Sequence, residues 1–345
     1  MAGAAVSAVE VSKQPRVLIL GGCGFIGRNL VTMLVERDLC SHICVVDKVM
    51  PVMAFMAQVH QAAFEKVEYK QADLSRQQAV DKVFENACYE LVFNLTYDGI
   101  PYGQTDDVYE QRILGLSTKV GKAAAKIRVR RFIELSTAQV YEPSDKPSVE
   151  SSKLKPWTRQ SMFKLRAEEA LKQIPGLHLT ILRTATVYGP GDMHGLTPRI
   201  ICAAVYAHLK EKMRFLWDAS LRLHTVHVAD VCGAMWHAAS LPEPAPLFNI
   251  ADQSFSTQGT INKALEALFG IQTGFAGSMA SSGVKLVGLK SFAEGANEKH
   301  MAPWAEMCRA AGILNTPLTP HIDAELLANH HLALDGQLIT SSGFQ

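Results

Sequence analysis

Short apolar runs alternate with longer stretches of helical periodicity along the first half of the chain. Arg16–Leu20 (RVLIL) is bounded by Pro15 and Gly21, as suits a buried parallel strand. Residues 25–37 then carry Ile26, Leu30, Met33 and Leu34 at helical spacing. A second β-branched run at 43–46 ends at Asp47, and 67–69, 91–95 and 132–135 continue the series. Helical segments are predicted between them near 51–64, 75–87 and 105–126. Repeated βα units of this length predict an α/β fold: a Rossmann-type doubly wound parallel sheet with right-handed crossovers.

A helix at 158–173 and a strand at 177–183 close this half, and after Gly189-Pro190-Gly191 the pattern changes. A helix at 198–211, short strands at 213–216 and 223–228, a helix at 230–240, a strand at Leu247–Ile250 and a helix at 257–269 follow. The Gly/Ser/Ala-rich stretch 271–303 reads as a mobile surface loop with one helix, and 318–345 as a helix, a short strand and a terminal turn. The expected division is a disordered leader at 1–14, a dinucleotide-binding domain at 15–190, and a smaller α+β substrate lobe at 191–345, interleaved with it.

Of the 345 residues, 48% are hydrophobic and 19% charged, enough apolar surface to exclude a disordered chain. Lys and Arg total 34 against 33 Asp and Glu, a net charge of +1 that predicts no nucleic-acid or anionic-membrane partner. No apolar run approaches the roughly 18 residues of a membrane span. The seven cysteines are scattered and contain no CxxC, so they read as reduced core residues of a cytoplasmic protein. His224 and His227 lie three apart in a predicted strand and face opposite sides, and His330-His331 reads as a solvated helix end. No metal site is expected.

Candidate chemistry begins at Gly21-Gly22-Cys23-Gly24-Phe25-Ile26-Gly27, directly after a strand and opening an apolar helix. Gly22 is read as allowing the tight turn, Gly24 as letting backbone approach a pyrophosphate, and Gly27 as allowing close helix–sheet packing. Asp47, 20 residues beyond Gly27, is placed to accept hydrogen bonds from ribose hydroxyls and to repel a 2′-phosphate, favouring NAD over NADP; Lys48 beside it weakens that preference. Asp73-Leu74, just past the third strand, is placed at the adenine edge.

Four motifs carry a resemblance: the Gly22–Gly27 turn; Asp73-Leu74; Ser136-Thr137-Ala138-Gln139-Val140-Tyr141; and Leu182-Arg183-Thr184-Ala185-Thr186-Val187-Tyr188-Gly189-Pro190-Gly191. Val226-His227-Val228-Ala229-Asp230-Val231 adds to them. Over residues 15–270 the chain resembles an extended short-chain dehydrogenase/reductase of the NAD-dependent epimerase/dehydratase type. Members act mostly on nucleotide-linked sugars, and close relatives include sterol and flavonoid dehydrogenases. The resemblance implies NAD as cofactor, a small-molecule ligand in the C-terminal lobe, and a homodimer through helices like 105–126 and 158–173. It also implies a Ser/Thr hydroxyl on the substrate oxygen, a Tyr carrying the proton, and a Lys four residues later on the same helix face that lowers the Tyr pKa and binds the nicotinamide ribose. Thr137 fits the hydroxyl and Lys164 the lysine. Asn94 and Thr96 fall where the loop after the fourth strand passes the cofactor.

Gln160 stands where the tyrosine is expected. An amide has no proton to exchange near neutral pH, so Gln160 can orient a substrate but cannot serve as general acid/base, a loss of about 10²–10⁴ in rate. Ala138-Gln139 replaces the Asp-Glu of dehydratases, Arg112 the usual Asn of the crossover helix, and Thr184 the usual Pro. Two readings stay open. In one, the chain is an NAD(H)-binding regulatory or structural protein without standard catalysis. In the other, it is an active NAD-dependent oxidoreductase or epimerase on a hydroxylated or nucleotide-linked small molecule, with a non-standard proton carrier.

Overall fold

The computed structural model describes residues 14–97 and 99–345; the expected leader therefore lies, apart from Gln14, outside the described residues. Six strands of the first half are β1 (Arg16–Leu20), β2 (His42–Asp47), β3 (Glu68–Gln71), β4 (Leu91–Asn94), β5 (Arg131–Thr137) and β6 (Leu179–Thr184). Leu247–Ile250 joins them as a seventh. The order is Leu247–Ile250, β6, β5, β4, β1, β2, β3, and every pairing is parallel. The seventh strand comes from beyond residue 190, so the boundary there divides the chain but not the sheet.

The sheet is covered on both faces, and strand residues alternate between them. Val17 and Ile19 point into one core cluster, with Leu30 and Leu34 of helix α1 (Phe25–Glu36) and Met235 of the Val228–Ser240 helix. Leu18 and Leu20 point into the other, with Val80, Val120 and Leu171. The order of strand addition switches sides at β1: β2 and β3 lie on one side of it and β4, β5 and β6 on the other. In an open parallel sheet such a switch point leaves a crevice at the carboxyl ends of the strands.

Most predicted elements occur within a few residues of their expected bounds. The exception is 271–303, expected as a loop with one helix. It holds a short strand, Thr273–Phe275, and two helices, Gly277–Val287 and Leu289–Ala310. The second helix buries Ala293, His300 and Cys308. Spacings of seven and eight residues put these on one stripe, a signal that the small-residue composition hid. The C-terminal stretch forms a 3₁₀ turn at Ala324–Leu327 and ends in a short helix, Gln337–Ser341, rather than a bare turn.

Candidate functional site

The crevice is shaped by the β1–α1 turn. Gly21 has φ +79°, and a Cβ there would meet the Leu95 carbonyl oxygen at 2.7 Å. The left-handed position of the turn therefore belongs to Gly21, not to Gly22 as the sequence suggested. A Cβ on Gly27 would lie 2.5 Å from the Gly21 carbonyl oxygen, so α1 crosses the turn in backbone contact. Gly24 caps α1 in an extended conformation and contributes no side-chain cap of its own. Buried Arg28 braces the turn: Nη2 donates to Cys23 O at 2.7 Å, Nε to Gly24 O at 3.1 Å and Nη1 to Phe55 O at 3.2 Å.

A cavity of about 710 Å³ opens over this turn. Its walls are Gly21, Cys23 and Gly24; residues 46–49 at the end of β2; 53–55; 72–76; Thr96, Gly99 and Ile100; Gln111, Arg112 and Leu116; and Met193 and Pro317. It thus brings together Gly21, Gly24, Asp47, Asp73, Leu74 and Thr96 of the expected site. Gly22, Phe25, Ile26 and Gly27 are buried behind the turn.

The two carboxylates differ. Asp47 Oδ2 accepts from Cys23 N–H and Oδ1 from Val49 N–H, each at 3.0 Å. Burial pushes its carboxyl above the ordinary range, and these hydrogen bonds oppose the rise. Asp73 is held below the ordinary range, chiefly by the Ser75 hydroxyl at 2.7 Å. Arg76 pairs with Asp73. Lys48 is exposed, and its charge helps hold the carboxyls of both Asp47 and Asp73 down. Arg112 sits in a π-helical turn, Glu110–Gly115, inserted in the crossover helix, which re-aims its side chain toward the cavity wall.

Asn94, Thr137, Gln160 and Lys164 do not line this cavity. Lys164 and Glu134 are both 0% exposed. Lys164 Nζ donates to Glu134 Oε1 at 3.3 Å and to Leu135 O at 2.5 Å, and lies 3.3 Å from the centroid of the Tyr97 ring. Glu134 also accepts from Ser117 Oγ at 3.0 Å and from Asn94 Nδ2 at 2.6 Å. Burial pushes Glu134 up and Lys164 down, and their mutual attraction opposes both shifts. Asn94, expected beside a cofactor, is instead 0% exposed and part of this network, its Oδ1 accepting from Thr96 Oγ1. Gln160, four residues before Lys164, donates its amide to Ile100 O at 3.0 Å. Thr137 Oγ1 accepts from Gln139 N–H. The side chain of Gln139 is held between Tyr102 Oη and Thr158 Oγ1.

The residues present fit one end of a dinucleotide. The glycine turn at the start of α1 suits a diphosphate, Asp47 a ribose, and Asp73-Leu74 an adenine edge. A lysine with no exposed surface does not suit a nicotinamide ribose. Sequence reasoning missed the bracing role of Arg28 and the place of Arg112 in the wall; the only signal for the latter was the departure from Asn. Among the described residues no cluster of His, Cys, Asp or Glu is arranged for a metal, and no helix is long and apolar enough to cross a membrane.

A family model described as the NAD dependent epimerase/dehydratase family matches residues 17–251. Human dTDP-D-glucose 4,6-dehydratase is 25% identical over 247 residues, covering 68% of this chain and 68% of that protein. An uncharacterised protein of Mycobacterium tuberculosis is 25% identical over 245 residues, 68% of this chain, and the match spans 61% of that relative. Among solved structures, Thermus thermophilus UDP-glucose 4-epimerase in complex with NAD has a TM-score of 0.65 at 18% identity, covering 96% of this chain and 93% of that one. At that identity the likeness is one of fold.

Proposed function

The chain belongs to the NAD dependent epimerase/dehydratase family, and on that premise we propose that it is an NAD(H)-binding protein without tyrosine-dependent proton transfer. Its role is regulatory or structural rather than catalytic. Bound NAD would supply hydride exchange, but this chain's own residues do not complete that chemistry. The observation that carries the reading is the burial of Lys164 on Glu134. A lysine held there cannot lower the pKa of a substrate-side phenol, and Gln160 on the preceding turn has no proton to give. Gly21, Gly24, Asp47, Asp73, Leu74 and Thr96 hold the cofactor; Phe25, Ile26 and Gly27 shape the helix behind it. The same proposal includes a small-molecule ligand in the C-terminal lobe and a homodimer packed through the crossover helices 106–126 and 159–172.

The competing reading, an active oxidoreductase or epimerase, is favoured by one observation. Tyr97 lays its ring on Lys164 and donates its hydroxyl to Ser136 O, beside Thr137, which supplies a phenol from a different element. Calorimetric titration with NAD+, NADH and NADPH, followed by a turnover screen with nucleotide sugars, steroids and simple alcohols, separates the two. The proposal expects NAD(H) binding with no turnover. Turnover at ordinary enzyme rates, abolished by Tyr97→Phe, would establish the competitor. Failure to bind any of the three would sink both.

A further inference from the structure

We propose that the helices Thr197–Leu209 and Gln258–Phe269 hold between them a small oxyanion that carries a hydroxyl, such as hydrogen phosphate. None of the residues involved lines the dinucleotide cavity, so the site is separate from it. Arg199 supplies the charge. Its guanidinium lies over the Phe215 ring, 4.8 Å from the centroid, and Nη2 donates to Gln258 Oε1 at 3.3 Å. Nη1 is buried and has no hydrogen-bond partner among the described residues. Burial pushes the pKa of the group down to about 10, and no carboxylate opposes that shift. Two carboxylates lie on adjoining segments, and both are spent. Asp192 accepts from the backbone amides of residues 194–197, and Asp218 from Ser220 and Ser278. The first turn of the Thr197–Leu209 helix has no acidic residue, and the positive end of its dipole adds to the charge of Arg199. A buried charge without a counter-charge is destabilising, so the counter-charge is expected from outside the chain.

Asn262 supplies the rest. It is 2% exposed, and neither its Oδ1 nor its Nδ2 has a partner among the described residues. A buried amide with both atoms unpaired is rare in a folded interior. Asn262 stands one helical turn after Gln258, which is bonded to Arg199. Three residues further on, Leu265 shares a core cluster with Cys202 and Ala203 of the facing helix. Asn262 therefore faces the stretch of that helix that begins at Arg199. The unpaired atoms state what the ligand must offer: acceptors for Arg199 Nη1 and Asn262 Nδ2, and a donor for Asn262 Oδ1. Hydrogen phosphate and bicarbonate meet all three demands and bring the negative charge. A water would complete the hydrogen bonds and leave the charge uncompensated. Sulfate would compensate the charge but has no hydrogen to give Oδ1.

The test is calorimetric titration of the full chain with sodium phosphate, bicarbonate and sulfate, at neutral pH, matched ionic strength and an excess of NAD+. Phosphate or bicarbonate should bind at least about tenfold tighter than sulfate, and the tighter of the two identifies the ion. Arg199→Met keeps an apolar stem over Phe215 and removes the charge. Asn262→Leu keeps the volume and removes both polar atoms. Each should weaken binding of that ion by about tenfold or more. A cooperative thermal transition will show that the variants are folded, and the comparison with sulfate needs no variant. Neither substitution touches the dinucleotide cavity, so failure of NAD+ to bind leaves this test intact. If neither hydroxyl-bearing ion binds at up to about 10 mM, the inference is overturned and an ordered water fills the place. Affinities unchanged in both variants, or sulfate bound as tightly as the better of the other two, would overturn it as well.

Discussion

The most informative perturbation is removal of the charge on Glu134. Its carboxylate takes three donors, Lys164 Nζ, Ser117 Oγ and Asn94 Nδ2, none of them more than 3% exposed. In Glu134→Gln the ammonium of Lys164 keeps Leu135 O and the face of Tyr97 but loses its ion-pair partner, and the remaining nearby carboxylate, Glu168, is already paired with Arg183. Breaking one partner of a buried ion pair costs about 3–5 kcal/mol, because it leaves an uncompensated charge. Unfolding entropy near 2.1 cal/mol/K per residue gives roughly 0.7 kcal/mol/K for this chain, so Tm should fall by about 4–7 °C. Replacing both charges, in Glu134→Leu with Lys164→Met, removes the desolvation cost along with the attraction. The double variant should therefore be more stable than either Glu134→Gln or Lys164→Met alone. Differential scanning calorimetry at neutral pH reads all of these. A Glu134→Gln transition within a degree of wild type, with additive effects in the double variant, would mean that Lys164 is not committed to Glu134. Lys164 would then be available to a nicotinamide ribose.

Gly21→Ala places a Cβ at φ +79° against the Leu95 carbonyl oxygen; strain and overlap together should cost about 2–4 kcal/mol in urea unfolding and abolish ADP binding. Burial raises Asp47 above its ordinary 3.8, so adenosine affinity should weaken as pH falls toward that raised value, and Asp47→Asn should remove the pH dependence. His60, His224, His300 and His330 all have pKa values lowered from 6.5, chiefly by burial. The unfolded chain then binds more protons than the native one below about 6.5, so stability rises with pH in that window and is lost as pH falls through it. Thermal scans across the window should show the loss, reduced by His300→Gln, whose ring is buried against Cys202 and Tyr206.

What was legible in the chain follows the range of the interactions. The β1–α1 turn, Asp47 at the end of β2 and Asp73-Leu74 depend on local periodicity and on glycines whose neighbours are sequence-near, and the cavity gathers them. Gln160 and Lys164 were legible as neighbours on one helix face, because four residues make slightly more than one turn. The destination of Lys164 was not legible. It is set by Glu134, 30 residues earlier on β5, and the only trace is a glutamate between the apolar pair Phe132-Ile133 and Leu135. The surroundings of Asn94 were not legible for the same reason: its amide is satisfied by Ser117 and Glu134, partners that only the folded sheet supplies, although its carbonyl partner, Thr96, is two residues away. The helix at Leu289–Ala310 was hidden by composition, since glycine, serine and alanine weaken an amphipathic pattern without removing its spacing.

With Lys164 buried on Glu134, bound NAD is expected to be held chiefly at its adenosine end, where the glycine turn, Asp47 and Asp73-Leu74 line the cavity. Saturation-transfer difference NMR on NAD+ with the full chain addresses it atom by atom. Strong transfer is expected to the adenine ring protons and the adenosine ribose, with nicotinamide ring protons well below them. Nicotinamide protons saturated as strongly as the adenine protons, or no transfer to either end, would contradict it.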